Sequence, residues 1–355
     1  MSKNGKKYAF LGFGILLIFL VSIFLSSLEG NTINIMGSIQ SEDEKSGEDQ
    51  IEEVVEEEGN RSPLNGIVCE NAFRRPIAVT LAGDAEARNL SGLSEADLVI
   101  EMPVVTGGIT RYLAFFGCNE PKEIGSIRSA RHDFIPLAMG FDAIMAHWGG
   151  SHFALDKLNS GVMDNLNALY LEGTVFYRKS GAIAPHNGFT SYENLKEYSE
   201  NAGYDRESSF VGYKFLDGDA PSVSKGQLTI GYPSIFEVEY EYDGETNEYL
   251  RFKNGSREID KNNSEQIAAK NVIVMFAASR QIEGQYNDMD IEGEGRSKYY
   301  LNGGEVYGNW KKDIGNQSSK LYFYDESGNE MEFVSGQIWI QIVQSDQSVH
   351  WTVGF

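Results

Sequence analysis

The chain has 355 residues, 41% of them hydrophobic and 12% aromatic, which is enough apolar material for substantial cores. Charged residues make up 23%, as in an ordinary globular protein, but they sum to a formal net charge of −22. So acidic a chain lacks the basic face that phosphate backbones require, and nucleic acid is excluded as a general partner.

Residues 8–28 carry no charge, with Lys3, Lys6 and Lys7 before them and Glu29 close behind. As a helix this run would be ~30 Å long, one hydrocarbon core. The lysines belong on the cytoplasmic side, so residues 1–30 are expected to anchor the chain in the cell membrane as a single pass, with the body outside. A cleaved signal peptide is the alternative, although Ser26-Ser27-Leu28 matches a small-x-small cleavage site poorly. Residues 31–61 follow as an acidic linker. Between 41 and 60 there are ten Asp or Glu against one Lys and no aromatic residue, a composition that self-repels and does not fold.

The body divides into two segments joined by a connection at 206–225. Residues 62–205 interleave strands and helices, which predicts a mixed α/β domain. Strands are expected at 76–82, 97–104, 109–116 and 142–147, the second and third forming a hairpin around Gly107-Gly108. Helices are expected at 151–159, ended by Gly161, and at 193–201. Another is expected to be capped by Ser129 and kinked or shortened by Pro136. In residues 226–355 helical periodicity disappears. Strands at 236–242, 248–252, 271–277, 321–324 and 337–343 are punctuated by Asp243-Gly244, Asn254-Gly255 and Asn302-Gly303, pairs suited to type I′ turns. The fold class is therefore α+β: a mixed α/β domain, then an antiparallel β domain, behind one transmembrane helix. Two cysteines, Cys69 and Cys118, flank the first and third expected strands. If those strands run antiparallel a disulfide can form, as an exported body permits.

Chemistry concentrates between residues 124 and 187, in GSIRSAR at 125–131, HWGGSH at 147–152, FYRKS at 176–180 and APHN at 184–187, with Arg111 just before. Gly149, Gly150 and Ser151 stand where a strand passes into a helix, a junction that can turn backbone N–H groups toward an anion. Arg111, Arg128, Arg131 and Arg178 can supply forked donors to the same anion, with Ser129, His147, His186 and Asn187 beside them. The alternative is that Arg128 and Arg131 only pair with carboxylates such as Glu101 and Asp133. His147, Ser151 and His186 also offer the residue types of a hydrolase, but Gly149-Gly150-Ser151-His152-Phe153 lacks the last glycine of a nucleophile elbow. No metal site is expected. The histidines are scattered, and the acidic run Asp288, Asp290, Glu292 meets Tyr299 where a calcium loop needs a bidentate Glu, so it reads as a solvated loop. Nothing calls for a cofactor. Trp310, Trp339 and Trp351 read as core or rim residues.

Several stretches together resemble the YerB-like family of bacterial lipoproteins, a domain of unknown function. They are RPIAV at 75–79, SGLSEAD at 91–97, GITR at 108–111, GSIRSAR at 125–131, HWGGS at 147–151, APHN at 184–187, GNWKK at 308–312 and GQIWI at 336–340. The resemblance spans residues 62–345 and implies an N-terminal α/β and a C-terminal β domain. It carries no catalytic residues over. Members are commonly anchored by a lipidated cysteine, whereas here no cysteine precedes Cys69, so the helical anchor is expected in its place. The functional expectation is a non-enzymatic envelope protein that binds an anionic small molecule or wall polymer through the first domain and an envelope protein through the second. A hydrolase of an envelope substrate and a scaffold for membrane-bound assembly enzymes are the alternatives.

Overall fold

The computed structural model describes residues 59–354, with residues 89, 107 and 233 left aside. The expected anchor and nearly all of the linker lie outside the described residues. Among the described residues no helix is long and apolar enough to cross a membrane.

The apolar runs of this chain are continuous rather than alternating, and such strands need a sheet covered on both faces. Strands β1 (Ile77–Ala82), β2 (Leu98–Pro103) and β3 (Thr110–Phe116) are buried at every position. They belong to a ten-stranded mixed sheet. Its order is Tyr322–Asp325, Gly304–Lys312, Gly293–Leu301, Asn271–Ala277, Ile338–Gln344, β2, β3, β1, Ile144–His147, Asn165–Asn167. Five neighbouring strands come from each expected segment. The seam is a parallel pairing of β2 with Ile338–Gln344, in which Leu98 lies opposite Ile338 and Glu101 opposite Gln341. Strand β3 runs antiparallel to both β1 and β2.

One face of this sheet is covered by a second, six-stranded antiparallel sheet that includes Lys225–Ile230, Val238–Asp243, Glu248–Lys253 and Val349–Val353. Val79, Val99, Tyr112 and Trp339 pack there against Leu228, Tyr240 and Tyr249. On the other face Ala78, Ile100, Leu113 and Ile340 pack with Phe134 and Leu137 of helix α1 (Phe134–Gly140). Trp339 and Trp310 are core residues on opposite faces, and Trp351 is half-buried against the cluster that holds Trp339.

Helix α2 (His152–Asn159) is capped by Ser151, whose hydroxyl accepts from the Ala154 N–H. After the four-residue α3 (Ala168–Leu171), helix α4 (Tyr192–Asn201) is capped by Ser191 in the same way. Ser129 does not cap α1. That helix starts at Phe134, which leaves Pro136 in its first turn, where a missing N–H costs nothing.

Asn254-Gly255 and Asn302-Gly303 have positive φ at both positions of two-residue hairpin loops, as type I′ requires. Asp243-Gly244 does not: the loop there is four residues long and Asn247, at φ 53°, supplies the left-handed position. The connection at 206–225 is not a free linker either. Phe210 and Tyr213 are buried, and Lys214–Phe215 pairs in parallel with Glu332–Phe333. Cys69 and Cys118 are joined in a disulfide with Cα atoms 5.9 Å apart. The antiparallel pairing of β1 with β3, Ile77 opposite Phe116, brings their flanking residues together.

Candidate functional site

The segment from Ser126 to Asp133 crosses the ends of β1 and Ile144–His147 and is tied to them by backbone bonds. Arg128 N–H donates to the Thr80 carbonyl, Trp148 N–H to that of Arg128, and Ala130 N–H to that of Gly149. This brings Arg128 and Arg131 close to Arg111, which stands at the start of β3 opposite Ala82. Arg111 and Arg131 are each only 6% exposed. Among the described residues the carboxylate within 4 Å of the group is Asp84, in the turn after β1, with its Oδ2 3.6 Å from Arg128 Nε and 4.0 Å from His186 Nδ1.

A guanidinium has five N–H donors, yet each of these three makes a single hydrogen bond among the described residues. Arg111 donates to the Ser129 carbonyl at 2.7 Å, Arg131 to that of Ala130 at 3.1 Å, and Arg128 to that of Pro185 at 3.4 Å. The Nε of all three, Asp84 Oδ2, Ser126 Oγ and His186 Nδ1 are buried without a hydrogen-bond partner. Burial, then the fields of Arg131 and Arg128, lower the pKa of Arg111 to about 9. Three guanidinium groups with Asp84 alone within ion-pair distance among the described residues leave a local surplus of positive charge, which an anion would balance. His186 also lines an adjoining cavity of ≈ 580 Å³, with Arg88, Lys179, Lys261 and Glu86 on its walls.

A second buried cluster shows the balanced alternative. Arg251 donates to Glu101 at 2.5 Å and to Glu258 at 2.6 Å, while Lys253 donates to Glu101 at 2.8 Å and to the Tyr112 hydroxyl at 2.8 Å. Two cations meet two carboxylates, and the tyrosines take further donors. Glu101 is therefore not the partner of Arg128 or Arg131, and no arginine pairs with Asp133 among the described residues.

The other expected site residues are used differently. Gly149, at φ +63°, makes the tight turn after Ile144–His147, but two of the loop's N–H groups are engaged. That of Gly149 donates to Asn167 Oδ1 and that of Ser151 to the Ala130 carbonyl. His147 is fully buried, with Nδ1 2.8 Å from the Gly149 carbonyl and Nε2 3.2 Å from Asn165 Oδ1, and burial lowers its pKa. Ser151 is spent on capping α2. His147 and Ser151 thus have separate partners, His186 lies 4.0 Å from Asp84, and among the described residues none of the three hydrogen-bonds another. Arg178 stacks on Trp148 at 4.0 Å and donates to Asn187 Oδ1 at 2.9 Å and to Glu172 at 3.2 Å, an exposed group that faces other partners than Asp84. Sequence reasoning missed Asp84. Its signal was an acid placed directly after a buried strand, where the chain turns over the strand ends.

Two segments sharing one sheet, with an arginine cluster at the strand ends, define a β-rich α+β architecture. The chain belongs to the family described as protein of unknown function DUF3048: the model of its N-terminal domain matches residues 64–205 and that of its C-terminal domain residues 228–340. A relative named "Putative lipoprotein YerB", from Bacillus subtilis strain 168, is 33% identical over 290 residues, covering 80% of this chain and 86% of its own length. The crystal structure of YerB from Bacillus subtilis matches with a TM-score of 0.73 and 31% identity, covering 82% of this chain and 99% of that one.

Proposed function

We propose that this protein is an extracytoplasmic envelope protein, held at the membrane by its N-terminal segment, that binds a phosphate- or carboxylate-bearing ligand through Arg111, Arg128 and Arg131. The observation that carries this reading is the group of largely buried, sparsely hydrogen-bonded guanidinium groups around Asp84. Forked donors recognise the two or three oxygens of such groups better than a point charge does. Arg88, Lys179 and Lys261 around the adjoining cavity favour an anion that extends past one group, as a wall polymer would. The name of the Bacillus relative supports a location at the envelope. No observation favours a hydrolase.

The test is thermal unfolding of the full-length protein in detergent against phosphate, pyrophosphate, sulfate and polyol-phosphate fragments. At about a hundred times its dissociation constant a ligand adds ~2.7 kcal/mol to stability. A rise in melting temperature that is lost in Arg128→Ala/Arg131→Ala is the expected result. Anions that shift neither protein would overturn the reading.

A further inference from the structure

On the far side of Arg131 a second group of side chains converges that the anion reading does not use. His132 and Asp133 follow Arg131 directly, at the entry to α1. Asp288 comes from the hairpin Ser279–Glu283/Tyr286–Met289 of the C-terminal segment. His132 Nε2 lies 3.2 Å from Asp133 Oδ1 and 3.1 Å from Asp288 Oδ1. For bonds of ~2.1 Å, neighbouring ligand atoms around one cation are separated by about 3.0 Å in octahedral and about 3.4 Å in tetrahedral geometry, so these spacings fall in the coordination range.

The carboxylates are held so that one oxygen of each is left for the cluster. Asp288 Oδ2 is clamped by Arg280, whose Nη2 is at 2.6 Å and Nε at 2.9 Å, and its Oδ1 is turned to His132. Asp133 Oδ2 takes the Met289 N–H at 3.4 Å and its Oδ1 is turned to His132. Asp133 occupies the N-cap position of α1 yet its side chain caps nothing. It is 4% exposed, and among the described residues no lysine or arginine lies within ion-pair distance of it. His132 is 9% exposed, and Nδ1 has no hydrogen-bond partner, so its polar contacts lie wholly within the cluster. The three residues open on a cavity of ≈ 430 Å³ with Asp290, Glu292 and Lys157 on its wall, roomy enough for further water ligands.

We infer that His132, Asp133 and Asp288 form a binding site for a divalent transition-metal ion, Zn²⁺ or Mn²⁺, that ties the C-terminal hairpin to the N-terminal segment. The imidazole selects against Ca²⁺ and Mg²⁺, which prefer all-oxygen shells. Arg280 orients Asp288 from outside the first ligand sphere. The inference does not depend on the arginine site.

Full-length protein in detergent, stripped by a chelator, would be titrated with Mn²⁺ while the free-ion electron paramagnetic resonance signal is followed. Zn²⁺ would be titrated in competition with a chromophoric chelator. One ion is expected to bind per chain. Asp133→Asn, which keeps the size and shape of the side chain and so spares the fold, should weaken binding by more than about 100-fold, as should His132→Gln, and Arg280→Ala by about 10–100-fold. Circular dichroism confirms that each variant is folded. Failure to bind one equivalent, unchanged affinity in folded Asp133→Asn, or tighter binding of Ca²⁺ than of both transition ions would each overturn the inference.

Discussion

Glu101 is fully buried in β2, yet it holds two cations at once, Arg251 and Lys253, both carried by a strand of the second sheet. Burial pushes its carboxyl pKa up, and Lys253 and Arg251 together outweigh that push, so it ends below the ordinary 4.5. Glu101→Gln would leave two buried cations with Glu258 alone. Removing one member of a buried pair costs about 3–5 kcal/mol, and the midpoint of denaturant unfolding should fall accordingly. The pH dependence has a definite sign. Above pH 4.5 the stabilisation is fully present. As pH falls below 4.5 the unfolded chain binds a proton that folded Glu101 refuses, and stability is lost. Wild-type stability should therefore decline more steeply than that of Glu101→Gln between pH 5 and about pH 3. Equal slopes would mean that the carboxylate is not held in its charged form.

Among the elements, the disulfide constrains the chain most directly. It closes a loop with a sequence separation of 49, for which the chain-entropy relation gives ~4 kcal/mol. Cys118→Ser, or reduction, should lower stability by roughly 2–4 kcal/mol, read from unfolding with and without reductant. β1, β3 and Asn271–Ala277 were legible in the sequence because a strand covered on both faces is an uninterrupted apolar run. Gly293–Leu301 and Gly304–Lys312 were not, because glycines and charges fill their half-exposed faces and mask the period of two. The same distinction separates the site residues. Arg111, Arg128 and Arg131 converge, as a local concentration of arginines suggests. The role of the HWGGSH loop was not legible. The groups that take the Gly149 and Ser151 N–H donors, Asn167 Oδ1 and the Ala130 carbonyl, are brought to it by pairing with neighbouring strands and loops. His132 and Asp288, 156 residues apart, share no local pattern at all.

At the scale of the whole molecule, the boundary between residues 62–205 and 226–355 falls inside a sheet rather than between two cores. Without Ile338–Gln344, β2 would be an uncovered edge strand of buried apolar residues. Without the second sheet, Val79, Val99 and Tyr112 would face water. Such an edge is a template for aggregation. The Glu101–Arg251 and Glu101–Lys253 pairs would also be broken by separation, because their members come from opposite sides of the boundary. Lengths that two family models cover separately are therefore expected to unfold together. Calorimetry of the full-length protein should show one transition for residues 59–354, with calorimetric and van't Hoff enthalpies in agreement. Residues 59–205 produced alone should aggregate rather than yield a folded monomer. Two resolved transitions, or a soluble N-terminal segment with a cooperative melt of its own, would show that the seam between β2 and Ile338–Gln344 is a docking contact between autonomous halves rather than part of a common core.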